Sequence, residues 1–432
     1  MTDAPEPERR MAWLFRLPPG VKALGIVAGA LVIIAGLAVL GGAIPLGPGP
    51  SGLQVGGASP SGSPSSGPST AAATPTPTPP PTPSPTPVLV PDPLDGLPVT
   101  PEAAARHPIA VMIDDLRPAR PQSGFDEASI VWHAPAEGGI PRYMMIFGAR
   151  TPGWVGPVRS ARQYFITWAA EWNALYVHAG GSPQALETLR QQGGGQLVYN
   201  GDEFRYGHYF GRITTRLSPH NLYTDGPRLR ELAGLAGATA PPSGSIWQFG
   251  PDVPTQDRPS GGSIEVVYPA NTVVYKYDPR TNTYPRTVSG ERAQLDAGSG
   301  LRVMPKNVIV MRVHFGPLND SNPAKHRLEA QVVGSGPAWI ATNGQVIVGT
   351  WRKESPSGPT LFFDKAGQPV TLTAGQTFIQ VVPYGWGVTI VDGTGAVVTG
   401  TPAAPASPGA SGSPGASRSP AVSGSPSASP TN

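Results

Sequence analysis

Residues 61–87 read "SGSPSSGPSTAAATPTPTPPPTPSPTP", and residues 406–430 read "ASPGASGSPGASRSPAVSGSPSASP". Neither stretch carries enough large apolar side chains to offset the conformational entropy lost on folding. Together they hold 15 of the 55 Pro in 432 residues, far above their share of the length. Whatever core this chain builds must therefore lie between about residues 100 and 395. The Thr-Pro alternation favours extended polyproline II at about 3.1 Å per residue, which makes residues 45–98 a semi-rigid linker. Residues 400–432 read as a disordered tail of the same character.

Ahead of the linker stands an apolar run from Ala23 to Ile44, "ALGIVAGALVIIAGLAVLGGAI", behind Arg9, Arg10, Arg16 and Lys22. About 20 apolar residues span a bilayer, and a signal-peptide core is shorter, about 7–15. The expectation is a single-pass anchor at 23–44, a cytoplasmic basic segment at 1–22, and the rest of the chain outside the cell membrane. Cleavage after Ala43, next to the small Gly41, is the alternative, and it also exports the chain. With no cysteine, disulfides, thiol chemistry, Cys-ligated zinc and cysteine lipidation are excluded. The 31 Lys and Arg against 28 Asp and Glu leave a net charge of +3, and no basic run occurs, so nucleic acid is not an expected partner.

Residues 100–240 mix short apolar segments with helical ones. "PIAVMID", "ASIVWHA", "IPRYMMIFGA" and "LYVHAGG" read as strands. "SARQYFITWAAEWNA" reads as a helix with Ser160 as N-cap and Gln163 completing a capping box. A second helix follows, capped by Ser182, with Pro183 at its first position and Gly193 past its end. Residues 245–395 instead hold ten short β-type segments between Gly, Pro, Asn and Asp, with hairpin signals at "TNGQ" and "DKAGQ". The expected class is α+β: an N-terminal mixed α/β domain, then a mainly antiparallel β domain.

Chemistry-bearing residues gather in the first of these domains. "GPVRSARQYF" puts Arg159 and Arg162 at a helix start, where backbone N–H groups and guanidinium forks suit phosphate or carboxylate. The alternative is that Asp114, Asp115 or Glu137 already pairs with them. In "YVHAGGSPQAL", Gly180 and Gly181 would let a ligand approach the backbone, and Ser182 opens a helix; ordinary turn and capping chemistry explains the same residues. "TTRLSPHNLYT" gathers Arg216, His220, Asn221 and Tyr223 in a loop, with His220 a candidate general base. Asp114 ends a strand, where α/β sheets often place ligands, and His178 or His220 with Asp114 could do acid–base work. Asp114, His133, Glu137, His178 and His220 lack any zinc-type spacing, so neither a metal nor a cofactor is expected.

These motifs, taken in order with "NVIVMRVHF" and "WIATNGQVIVGTWRKESPSGPTLFFDKAGQPVTLTAGQTFIQVV", resemble the YerB-like family of bacterial lipoproteins over about residues 105–393. The resemblance implies an exported, membrane-tethered, two-domain protein and carries no activity with it. It makes Asp114, Arg159, Ser160, Arg162, His178, Gly180, Gly181, His220 and Asn221 the site candidates. Where such lipoproteins carry a lipidated cysteine, this chain has none and offers an apolar helix instead. A looser likeness, of layout only, is to the LytR-CpsA-Psr wall-polymer transferases. Three functions remain open: a module binding an anionic or glycan envelope component, an envelope hydrolase or transferase, and a structural or assembly partner of exported proteins. Whether the protein is an enzyme, and in what oligomeric state, is not legible here.

Overall fold

The computed structural model describes residues 88–289 and 291–398. The apolar run Ala23–Ile44, the linker through residue 87 and the tail from residue 399 lie outside them, and so do the expectations placed there. Among the described residues no helix is long and apolar enough to cross a membrane. The linker, expected to reach residue 98, gives way to structure some ten residues earlier. Val90–Pro91 pairs antiparallel with Pro98–Val99. Leu94 is fully buried in the core and Asp95 pairs with Arg150 at 2.7 Å.

The N-terminal half runs β1 (Ile109–Asp114), β2 (Ile130–Glu137), β3 (Ile140–Phe147), α1 (Gln163–Ala170), β4 (Leu175–His178), α2 (Pro183–Gln192), β5 (Tyr199–Asp202) and α3 (Gly226–Ala236). The C-terminal half adds β6 (Ser263–Tyr268), β7 (Asn271–Lys276), β8 (Arg286–Val288) and β9 (Asn307–Val313). It continues with β10 (Gly334–Thr342), β11 (Gln345–Lys353), β12 (Leu361–Asp364), β13 (Thr377–Pro383) and β14 (Val388–Val391). Shorter pairings are named below by residue.

Ten of these strands form one mixed sheet in the order β12-β11-β10-β9-β13-β2-β3-β1-β4-β5. The two halves of the chain thus share a sheet. The junction is β13, which runs parallel to β9 on one side and to β2 on the other, with Thr377 opposite Ile130 and Gln380 opposite His133. Both faces are covered at the centre of the sheet, which is why β1, β2, β3, β9 and β13 are buried almost throughout and do not alternate. Ala110, Met112, Trp132 and Met144 face α1, whose Trp168 stacks on Trp132 at 4.4 Å between ring centroids. Val111, Ile113, Val131, Tyr143 and Met145 face α3 and the second sheet, β8-β7-β6-β14. The architecture is α+β.

Under the second sheet the core turns polar. Asp115 accepts from His133 Nε2 at 2.9 Å, Asn271 Nδ2 at 2.6 Å and Arg120 Nε at 3.1 Å. Nearby, Arg286 is fully buried, donates to the Tyr275 hydroxyl at 2.8 Å and lies over the rings of Tyr143, Tyr275 and Phe378. Burial pushes the Asp115 carboxyl upward, but the His133 hydrogen bond and the charges around it hold its pKa at about 2. Burial pushes the His133 imidazole below its ordinary value. These groups tie the second sheet to the first, though Asn271 Oδ1 and Arg286 Nη2 are buried without a partner.

Candidate functional site

The site is built where β1 ends. After β3 the chain returns as an extended segment, Gly156–Ala161, laid across the end of β1. Asp114 N–H donates to the Pro157 carbonyl at 3.0 Å and Arg159 N–H to that of Met112 at 2.9 Å. The segment then meets the turn after β4: Ala179 N–H donates to Arg159 O at 3.1 Å and Ala161 N–H to Gly180 O at 2.8 Å. These backbone bonds hold Ser160 and Ala161 out of the helical region. The helix accordingly starts at Gln163, with Arg162 as its N-cap and no side-chain cap. The expected Ser160–Gln163 capping box does not form, and Gln163 instead accepts from the Thr188 hydroxyl at 2.9 Å.

Around this segment, three guanidiniums meet two carboxylates. Glu137, at the end of β2, takes Arg142 on Oε1 at 2.8 Å and Arg162 on Oε2 at 2.7 Å. Arg142 also donates to Ser160 O, and Arg162 to Ala161 O. Asp114 Oδ2 faces Arg159 Nε at 3.0 Å and His220 Nδ1 at 2.7 Å, while its Oδ1 accepts from Leu116 N–H. Against the upward push of burial, Arg142, Arg162 and Arg159 hold the Glu137 carboxyl below its ordinary value. Burial and the neighbouring Arg162 push Arg142 down to about 9. The cations repel one another across this cluster, and the two carboxylates leave one positive charge over before His220 is counted.

Two of the expected residues face outward. The Arg159 side chain is 19 % exposed and that of His220 15 %. Among the described residues the Arg159 terminal nitrogens and His220 Nε2 have no protein partner. Asp114 Oδ2 holds His220 by a hydrogen bond and Arg159 by charge alone, its Nε making no hydrogen bond, so His220 Nε2 is presented either as a donor to an anion or as a proton acceptor.

The other expected residues are brought near but committed elsewhere. Arg162, only 3 % exposed, is taken up by Glu137. His178 is buried, with Nδ1 on Gly180 O at 2.9 Å and Nε2 on Asn200 Oδ1 at 2.8 Å, which removes it as an accessible base. Ser182 caps α2 by accepting from Ala185 N–H, as its sequence position implied. Gly180 has a φ of +65°, and a Cβ on Gly181 would meet Ala161 at 3.2 Å, so these glycines serve the turn's close approach to the extended segment. Arg216 donates to Ala119 O and the Tyr223 hydroxyl, both at 2.6 Å. Asn221 holds Arg212, Ile213 O and Arg216 O. Both are braces that position the His220 loop. Arg142 gives no sequence signal of its own, because it sits inside an apolar strand pattern. Among the described residues no group of three or more His, Asp and Glu is placed to hold a metal ion.

The sequence of this two-part α+β protein matches the two domains of one family. Residues 94–239 match the family described as "Protein of unknown function (DUF3048) N-terminal domain", and residues 264–379 match its C-terminal domain. YerB of Bacillus subtilis (strain 168), named as a candidate lipoprotein, is 30 % identical over 298 residues, 67 % of this chain and 86 % of that one. The crystal structure of YerB from Bacillus subtilis aligns with a TM-score of 0.61 at 27 % identity, covering 69 % of this chain and 99 % of the other. The chain belongs to the YerB-like family.

Proposed function

We propose that this chain is an exported, membrane-held protein that binds an anionic group of the cell envelope, a phosphate or a carboxylate, at Arg159 and His220. The observation that carries this reading is the under-neutralised cluster. Arg142, Arg159 and Arg162 share only Asp114 and Glu137: the surplus charge lies where Arg142 and Arg162 share Glu137, and Arg159, paired with Asp114, is the member whose terminal nitrogens are free to meet a ligand. An anion there would accept from the Arg159 terminal nitrogens and from His220 Nε2, the imidazole being oriented by its Nδ1 bond to Asp114. Fixed donors lose little freedom on binding, which favours affinity. Arg162 supports the site from beneath through Glu137. Membrane attachment rests on the Ala23–Ile44 run and on the lipoprotein name carried by the relative.

The test is thermal unfolding of the full-length protein in detergent against inorganic phosphate, pyrophosphate and acetate. A dose-dependent rise in Tm for the wild type, absent in Arg159→Ala, is expected; a ligand at about 100 times its Kd adds about 2.7 kcal/mol. An unmoved wild type, or an equal rise in the variant, overturns the reading.

A further inference from the structure

Beside the arginine cluster lies a second concavity that the site above does not use. A cavity of about 340 Å³ opens between the hairpin Phe315–Pro317/Leu328–Ala330 and the turn that follows β13. Its walls are the rings of Phe315, Tyr384 and Trp386, with His326 and Arg327 at the mouth. Tyr384 is held flat by stacking on His314 at 4.3 Å between centroids, and Trp386 by edge contact with Tyr268 at 6.0 Å. The Trp386 carbonyl is fixed by Arg312 at 2.8 Å. The polar tips of this lining are free: among the described residues the Tyr384 hydroxyl, Trp386 Nε1, the His326 ring and Arg327 Nη2 have no protein partner. Arg327 Nη1 is tied to Asp320 at 2.6 Å, which fixes the guanidinium while leaving its other edge open.

The cavity and the cluster share a wall. Glu137, which holds Arg142 and Arg162, forms a β-bridge with Arg327, and Gly138 N–H donates to His326 O at 3.0 Å. Phe315 packs edge-on against Tyr164 of α1 at 5.5 Å between centroids, two residues after Arg162.

We propose that this cavity is a sugar subsite, taking one or two pyranose rings of a glycan. Its volume is at the small end of the roughly 300–1,000 Å³ of small-molecule sites, enough for a ring or two and too small for a folded partner. Fixed aromatic faces bordered by unpaired O–H and N–H groups suit a ligand with apolar C–H faces and an equatorial belt of hydroxyls. An aliphatic chain would leave those polar tips unmatched. The shared wall makes the sugar ring and the anionic group neighbouring parts of one polymer. That last link rests on the anion reading above; the sugar subsite itself does not.

The experiment is calorimetric titration of the full-length protein, in a detergent without sugar headgroups, with neutral tetrasaccharides: chitotetraose, cellotetraose and maltotetraose. At least one is expected to bind saturably with a Kd near about 1 mM or tighter. Tyr384→Ala and Trp386→Ala should each weaken it at least about tenfold. Trp386→Phe, which keeps a ring and loses the N–H, should weaken it less than Trp386→Ala, and Arg190→Ala, on the exposed face of α2, should leave it within about threefold. Circular dichroism checks that each variant is folded, and Tyr384→Ala, at an exposed position, guards against loss of fold in Trp386→Ala. No binding of any of the three up to about 10 mM overturns the subsite, as does binding unchanged in Tyr384→Ala. Failure with these neutral sugars while phosphate still binds leaves the anion reading standing, and the converse result separates the two the other way.

Discussion

Arg159 and Arg162 stand three positions apart and meet opposite fates. On a helix, positions i and i+3 share a face, and both side chains would point at one ligand. In the extended segment that the protein forms, they point to opposite sides: Arg159 outward beside His220, Arg162 inward to Glu137. Removing Arg162 leaves Glu137 with one cation in place of two at a largely buried pair. Arg142 keeps Glu137 paired, so the loss is that of a buried charge-assisted hydrogen bond, and Arg162→Ala should cost about 2 kcal/mol in urea unfolding. Arg159→Ala should cost about 1 kcal/mol or less, since its pair is the more exposed and Asp114 keeps His220. Equal losses would mean that both arginines are structural. The sequence shows both arginines and names Asp114 and Glu137 as partners. It does not show which pair is deep, because that depends on hydrogen bonds to Met112 and Gly180, remote in the chain.

At the scale of elements the same contrast separates two serines. Ser182 sits before Pro183 and its side chain accepts from Ala185 N–H, so local chemistry decides and the helix falls where the spacing puts it. Ser160 has equally good local credentials, but the backbone of Ala161 is claimed by Gly180 and Ser182. Ser182→Ala should cost about 1 kcal/mol and Ser160→Ala less than about 0.5 kcal/mol in the same unfolding assay. A larger loss at Ser160 would contradict the late helix start. Strands were legible wherever both sheet faces are covered, as at Ile109–Asp114, and so was the hairpin at Asn343–Gly344, where both residues have positive φ. The merging of two regions into one sheet was not, since strand partners hundreds of residues apart leave no periodicity to read. Nor was the structured stretch at 88–98, whose prolines look like more linker until Leu94 is seen in the core.

At the scale of the whole molecule, stability should track the protonation of the polar core. The folded state keeps His133 below its ordinary value of 6.5, so the unfolded chain binds more protons near that pH. Stability should then fall as pH drops through about 6.5. Asp115, held at about 2, adds a second loss as pH falls from about 4 toward 2, because the unfolded carboxylate takes its proton first. Asp115→Asn should lower Tm at pH 7 and flatten the lower step; a Tm independent of pH between 4 and 7 would contradict the His133 assignment. The position of β13 reaches further. The strand that occupies the middle of the large sheet is supplied by residues 377–383, close to the end of the described chain. Until those residues have emerged from the machinery that makes or exports the chain, β2 and β9 have no neighbour to join them, however long they have been waiting. Chains stopped short of residue 383 should be discarded by the cell as unfinished, so a late stop codon in such a gene acts as a full deletion.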